Sequence, residues 1–184
     1  VSSGEPEEGF RGKPVFSLEH CVGCTSCATV CPAEAITIED PPHPSQEEHP
    51  MRKIVLHYDV CIFCGECEAA CITGKGITLS RNYDLALYDR KLACEKVEKE
   101  LVLCQECGDI ISTKDHLALI VQRLGRLAYA SETLLSVNSN GTTPMWASSE
   151  DGPAWTGTRP YPRHLCERCR RKDVRSDAQE SSGD

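Results

Sequence analysis

Four short β-branched stretches punctuate the first eighty residues. Pro14–Leu18 and Lys53–Tyr58 each stand before a cysteine-rich loop, while Ala35–Ile38 and Gly76–Leu79 each stand after one. Runs of Val, Ile and Phe of this length, bounded by Gly, Pro and polar residues, predict strands. The order in each half is therefore strand, loop, short helix, strand. Tyr83–Leu103 carries Leu85, Leu92 and Val97 among charges and reads as helical in part. Ser112-Thr113-Lys114-Asp115 has the spacing of a capping box, with Asp at the fourth place. A helix is expected after it, its apolar face formed by Leu117, Ile120, Val121, Leu124, Leu127 and Ala128.

Between these elements lie the breakers. Asp40–Pro50, rich in Pro, His and Glu, reads as an exposed loop, and His43 and His49 as solvated members of it rather than ligands. Asn138–Thr158 reads as a loop or linker. The division expected is an N-terminal arm (1–13), a core (14–82), an extension (83–172) and a tail (173–184).

The two halves are copies. Cys21, Cys24, Cys27 and Cys31 align with Cys61, Cys64, Cys67 and Cys71 at a constant offset, which marks an internal duplication. Cys-x2-Cys-x2-Cys-x3-Cys-Pro, at positions 21 to 32, lets three thiolates wrap one face of an iron–sulfur cubane from a single loop. The fourth thiolate is carried off by the following turn and ligates the other cluster. This assigns Cys21, Cys24, Cys27 and Cys71 to a first [4Fe–4S] cluster and Cys61, Cys64, Cys67 and Cys31 to a second. Gly23 and Gly65 lie inside the loops, where backbone N–H groups can face the sulfur. Ile72 follows Cys71 where Pro32 follows Cys31, so a changed turn is expected there. Zinc binding or disulfides are the competing uses of these cysteines, and two frames in register speak against both.

Composition supports a metal protein. Aromatics make up only 5% of the 184 residues, so the core needs support that metal can supply, and there are thirteen cysteines, an odd number. Two further pairs, Cys104/Cys107 and Cys166/Cys169, suit a structural Zn(Cys)4 site or, as the lesser option, a mononuclear iron, although their separation exceeds the usual zinc-knuckle gap. Cys94 has no partner at motif spacing and reads as a packed thiol. The fold class expected is α+β: a duplicated ferredoxin-like 2[4Fe–4S] core with a helical, zinc-ribbon-like C-terminal extension.

The formal charge of −8 becomes about −14 with two clusters and one tetrathiolate zinc. That disfavours nucleic acid, despite the basic run Cys166–Lys172, and favours a basic protein partner. The first residues are acidic and lack an apolar leader segment, and the richest apolar stretch, Leu117–Val121, is far short of the ~18 residues of a span. Membrane contact is expected only through partners. No Ser–His–Asp set or phosphate loop appears, and Gly74-Lys75-Gly76 reads as a turn. No catalytic residue is assigned.

Phe10-Arg11-Gly12-Lys13-Pro14, the two cysteine motifs, Cys61-Ile62-Phe63-Cys64-Gly65 and Asn82-Tyr83-Asp84-Leu85-Ala86 resemble the ferredoxin-like subunit of membrane-bound [NiFe] hydrogenases. That family includes the formate hydrogenlyase iron–sulfur subunit and is related to subunit I of respiratory complex I. The resemblance covers Phe10 to Leu103, and the later cysteine pairs are similar to the extension of the formate hydrogenlyase type. It implies an electron-relay subunit on the cytoplasmic face of the cell membrane. Electrons would come from formate dehydrogenase, carbon monoxide dehydrogenase or a ferredoxin. They would pass to the hydrogenase small subunit and on to the nickel–iron site of the large subunit. The alternatives are a subunit of a quinone-reducing complex I-like assembly, a free ferredoxin-type carrier, and a structural or regulatory zinc-ribbon protein.

Overall fold

The computed structural model describes residues 6–7, 9–138 and 163–172. They fall into two compact units, Val1–Pro41 with Met51–Lys99, and Pro42–Pro50 with Glu100–Asp184. The expected linker at 138–158 and the tail at 173–184 lie outside the described residues, but for Asn138.

The first unit is built on the duplication. Strand β1 (Pro14–Phe16) pairs antiparallel with β4 (Ile77–Leu79), Phe16 opposite Ile77. Strand β2 (Ile36–Glu39) pairs antiparallel with β3 (Met51–His57), Ile36 opposite Leu56. A one-turn helix follows each cysteine loop: α1 (Ser26–Thr29) and α2 (Glu66–Ala69). All four predicted strands and both short helices are present. β-branched residues alternate across each pleat, so Ile36, Ile54, Leu56 and Ile77 bury one side. Phe16, Ala35 and Val97 complete that core together with Cys21, Cys27 and Cys67. Core and cysteine site are thus one region.

The expected helical content in 83–103 is limited to a 3₁₀ turn at Arg90–Leu92. Cys94–Leu103 is instead a ten-residue strand, β5, next to β3 in the strand order. Its burial alternates: Glu95, Val97, Lys99 and Leu101 turn inward while Lys96, Glu98 and Glu100 face solvent. Two of the inward residues are charged, which hid the period of two. Both have partners. The Glu95 carboxylate accepts from the Phe16 N–H at 2.8 Å and from the Tyr58 hydroxyl, and Lys99 Nζ donates to the Leu18 carbonyl at 2.8 Å. Cys94, read as packed, is exposed.

The N-terminal arm is tied down at its end. The Gly12 N–H donates to the Ser80 carbonyl and the Lys13 N–H to the Asn82 carbonyl, at 3.0 and 2.9 Å. A Cβ on Gly12 would lie 2.5 Å from both the Ser80 and Asn82 oxygens, so only glycine fits.

In the second unit, the end of β5 pairs antiparallel with β6 (Ile110–Thr113), with a bulge between Val102 and Leu103. Helix α3 runs Lys114–Leu124. Its cap is Thr113, one residue later than the predicted Ser112: the Thr113 hydroxyl accepts from the His116 N–H, while Ser112 Oγ bonds the His116 ring at 2.8 Å. Either hydroxyl has the chemistry of a cap, and the end of β6 decides between them. Gly125 ends the helix; of the predicted apolar face, Leu117 and Ala128 are buried while Leu124 and Leu127 are exposed. Helix α4 (Glu132–Asn138) packs on α3. Thr133 is buried and staples segment 163–172 to it, donating to the Leu165 carbonyl at 3.0 Å and accepting from the Leu165 N–H and the Arg170 guanidinium. No helix among the described residues is long and apolar enough to cross a membrane.

Two substitutions test these contacts. Gly12→Ala should cost about 1–3 kcal/mol by overpacking and make the arm cleavable in limited proteolysis. Thr133→Val keeps the shape but removes three hydrogen bonds. It should lower stability by about 1–3 kcal/mol, read as a reduced thermal midpoint, with faster amide exchange at Leu165.

Candidate iron–sulfur sites

The duplication is carried in the backbone as well as in the cysteines. Gly23 and Phe63 have φ of 70° and 55°, and Thr25 and Gly65 have φ of 68° and 87°. Each loop therefore needs two left-handed residues, and each spends its glycine at a different one. Thr25 and Phe63 hold that conformation despite a Cβ, at about 1–2 kcal/mol apiece. Left-handed positions inside such a loop turn successive N–H groups to one side, which suits a bound anion. The motif reading found the two glycines but not their two strained counterparts, whose only signal was the alignment of each with a glycine in the other copy.

Cys21, Cys24, Cys27 and Cys71 line one cavity, walled by Phe16, Ile54 and Ile77. Burial pushes the Cys21 thiol up, and the nearby Cys24 and Cys71 sulfurs push it further. Cys27, the more deeply buried, is pushed up to about 12 by burial and by Cys21 and Cys24. In the other half, burial raises Cys61, and the Cys31 and Cys64 sulfurs add to it. Burial also raises Cys67, to about 11. Cys71 thus shares a cavity with Cys21 of the other run, and Cys31 is near enough to Cys61 to act on its thiol.

The fourth cysteines are held by matching donors. The Ala35 N–H donates to Cys31 Sγ and the Gly76 N–H to Cys71 Sγ, both at 3.3 Å. Gly76 is tightly enclosed: a Cβ would sit 3.1 Å from Cys71 Sγ and 3.2 Å from Cys21 Cα, so a larger residue would push these neighbours by a few tenths of an ångström. The predicted change of turn after Cys71 takes the form of one extra residue before this donor, with Thr73 Oγ1 3.3 Å from the same sulfur. Burial raises the Cys71 thiol, but hydrogen bonds from Thr73, Ile77 and Gly76 outweigh it and hold the group below its usual range.

An all-sulfur donor set, an apolar wall and N–H groups aimed at the sulfurs fit iron–sulfur clusters chemically. The residues that could hold them are the eight cysteines of the two motifs.

In the second unit, the sulfurs of Cys104, Cys107, Cys166 and Cys169 lie within 4.8 Å of one another, although 58 residues separate the two pairs. Cys107 and Cys166 are 3.6 Å apart. A tetrahedral tetrathiolate with metal–sulfur bonds of about 2.3 Å needs sulfurs about 3.8 Å apart. The first pair sits on a knuckle closed by the Cys104 N–H to Asp109 carbonyl and Gly108 N–H to Cys104 carbonyl bonds. The second pair is brought in by Thr133 and by the Gln105 N–H to His164 carbonyl bond at 2.9 Å. Burial raises the Cys104 thiol, but N–H groups of Cys107, Cys166 and Glu106 bring it down to about 6. Cys94 joins neither site. His43 and His49 are exposed and belong to no cluster of metal-binding groups among the described residues.

Residues 20–75 match the family model of the 4Fe–4S dicluster domain. The NADH-quinone oxidoreductase subunit I 2 of Geobacter metallireducens is 34% identical over 94 residues, 47% of this chain and 67% of that protein. The NAD(P)H-quinone oxidoreductase subunit I of Gloeobacter violaceus is 31% identical over 85 residues, 46% of this chain, which spans only 40% of that protein's length. Formate hydrogenlyase subunit 6 of Escherichia coli is 42% identical over 33 residues, 18% of either chain. The duplicated cysteine core and these likenesses agree: the chain belongs to the 4Fe–4S dicluster family of iron–sulfur subunits that includes NADH-quinone oxidoreductase subunit I.

Proposed function

We propose that this chain is an electron-relay subunit of a membrane-associated oxidoreductase complex, with no substrate chemistry of its own. The observation that carries this reading is the single cavity lined by Cys21, Cys24, Cys27 and Cys71, in which a sulfur from the second copy joins three from the first. It supports a crossed ligation, with Cys61, Cys64, Cys67 and Cys31 holding the second cluster. A bound cubane supplies reversible one-electron redox chemistry with little rearrangement. The chain does the rest. Phe16, Ile54 and Ile77 limit water at the first site. The Ala35 and Gly76 N–H groups offset negative charge on the two crossing sulfurs. Because Cys31 and Cys71 each follow one loop and serve the other, the two sites stay at short range.

The partners in this reading are a hydrogenase small and large subunit and an electron-donor module such as formate dehydrogenase, carbon monoxide dehydrogenase or a ferredoxin. The chain would be peripheral to the inner face of the cell membrane. The likeness to formate hydrogenlyase subunit 6 supports the hydrogenase assignment. The likeness to subunit I over a longer stretch favours a second reading, a quinone-reducing assembly. Hydrogen uptake against quinone reduction by the purified native complex separates the two.

The four gathered sulfurs of the second unit support a structural zinc, or a mononuclear iron, that fastens the extension. Close to eight irons and one zinc per chain are expected by elemental analysis, and a zinc-only chain without visible absorbance would sink the redox reading.

Crossed ligation has its own test. Cys71→Ser should change the same paramagnetic signal as Cys27→Ser, and Cys31→Ser the same signal as Cys67→Ser. The opposite pairing would mean that each run holds its own cluster. Cys104→Ser should release the single metal and lower the thermal midpoint while leaving both cubane signals in place.

A further inference from the structure

The same three backbone bonds tie each cysteine run to the other. In the first copy, the Cys21 N–H donates to the Ser17 carbonyl at 2.8 Å, the Ser17 N–H to the Gly76 carbonyl at 3.0 Å, and the Gly76 N–H to Cys71 Sγ at 3.3 Å. In the second, the Cys61 N–H donates to the His57 carbonyl at 3.1 Å, the His57 N–H to the Ala35 carbonyl at 2.8 Å, and the Ala35 N–H to Cys31 Sγ at 3.3 Å. Ser17 and His57 hold equivalent places ahead of Cys21 and Cys61. Each set of bonds aligns one crossing sulfur with the loop it joins. None of these bonds fixes one site against the other.

Strand β5 supplies that link from outside the repeat. The half-buried Glu95 carboxylate has one oxygen for each copy. Oε1 accepts from the N–H of Phe16, the residue before Ser17, at 2.8 Å. Oε2 accepts from the hydroxyl of Tyr58, the residue after His57. Phe16 is buried and walls the cavity of Cys21, Cys24, Cys27 and Cys71.

The Tyr58 end is braced on several sides. Its hydroxyl is also 2.8 Å from the Pro14 carbonyl oxygen, its N–H donates to the Ala93 carbonyl at 2.8 Å, and the Lys13 ammonium sits 5.5 Å from the ring centre. The equivalent of Tyr58 in the first copy is Leu18, an exposed apolar side chain, so the repeat does not supply this bridge twice. Lys99 also holds β5, through the Leu18 carbonyl, but that bond reaches the first copy alone.

We propose that Glu95, acting through Phe16 and Tyr58, is a positioning residue that fixes the two cluster sites relative to one another, and with them the gap an electron crosses between the clusters. This rests on the crossed two-cluster reading above. The carboxylate itself passes no electron and no proton. It locks two strand frames in one geometry, as a supporting group must when a site tolerates only about 0.5 Å of play.

The full chain is reconstituted anaerobically, and its paramagnetic spectrum is recorded partly and fully reduced. Partial reduction shows each cubane alone. Full reduction adds the splitting between two interacting spins, which depends steeply on their separation and orientation. Glu95→Leu removes both arms of the bridge. It should shift that splitting while the iron content and each cubane's own spectrum stay unchanged. Glu95→Gln should restore the splitting: its carbonyl keeps the Phe16 N–H, and its amide donates to the Tyr58 oxygen while that hydroxyl turns to Pro14. Tyr58→Phe keeps the ring and loses one arm, so it should shift the splitting in the same direction but less. An unmoved splitting in Glu95→Leu, even with a lowered thermal midpoint, would reduce the bridge to a stabilising contact and overturn the proposal. So would a Glu95→Gln chain that shifts as far as Glu95→Leu. Should Glu95→Leu fail to load iron, Tyr58→Phe decides, and an unmoved splitting there counts against the proposal equally. An unmutated chain that holds both cubanes without any splitting would overturn it and leave the two-cluster reading standing. A chain with no cubane spins would remove both.

Discussion

Cys71 of the second run lines one cavity with Cys21, Cys24 and Cys27 of the first, and the first unit is built around that meeting of the two copies. A small unit with few aromatics has little apolar bulk to bury. Here three cysteines take core positions beside Ile54, Leu56 and Ile77. The core is continuous with the ligand set, so packing and metal chemistry cannot be altered separately. Each one-turn helix places its buried cysteine inward and carries the chain toward the other copy. Strand pairing does the same on a larger scale, since β1 before the first loop pairs with β4 after the second.

Around this shared frame the two copies diverge in everything the ligands do not require. The loops keep the same two left-handed positions but fill them with different residues. The helices keep the buried cysteine but exchange neutral neighbours for acidic ones. The turn after the fourth cysteine keeps its N–H to sulfur bond while gaining a residue and reversing the charge beside it. Duplication supplies two equal holders, and the substitutions between the ligands are free to make them unequal.

What the sequence disclosed follows from the same logic. Ligation demands one residue type at fixed spacing, so the eight cysteines and their offset were legible, as were the four strands whose apolar alternation is intact. Strand β5 was not, because Glu95 and Lys99 occupy inward positions that a pattern reader expects to be apolar, each satisfied by a partner distant in sequence. The cap of α3 moved by one residue because Ser112 and Thr113 have equivalent chemistry. The gathering of Cys104, Cys107, Cys166 and Cys169 was legible as a set, but not the buried Thr133 that brings the second pair in. The grouping of Pro42–Pro50 with the second unit depends on contacts such as the Leu101 N–H to Pro50 carbonyl bond, which no local composition announces.

Thr25 and Phe63 have a further consequence. Each is held in the left-handed backbone region despite its Cβ, at about 1–2 kcal/mol. Glycine at either place, as its counterpart in the other loop already has, would ease that load without touching a cysteine.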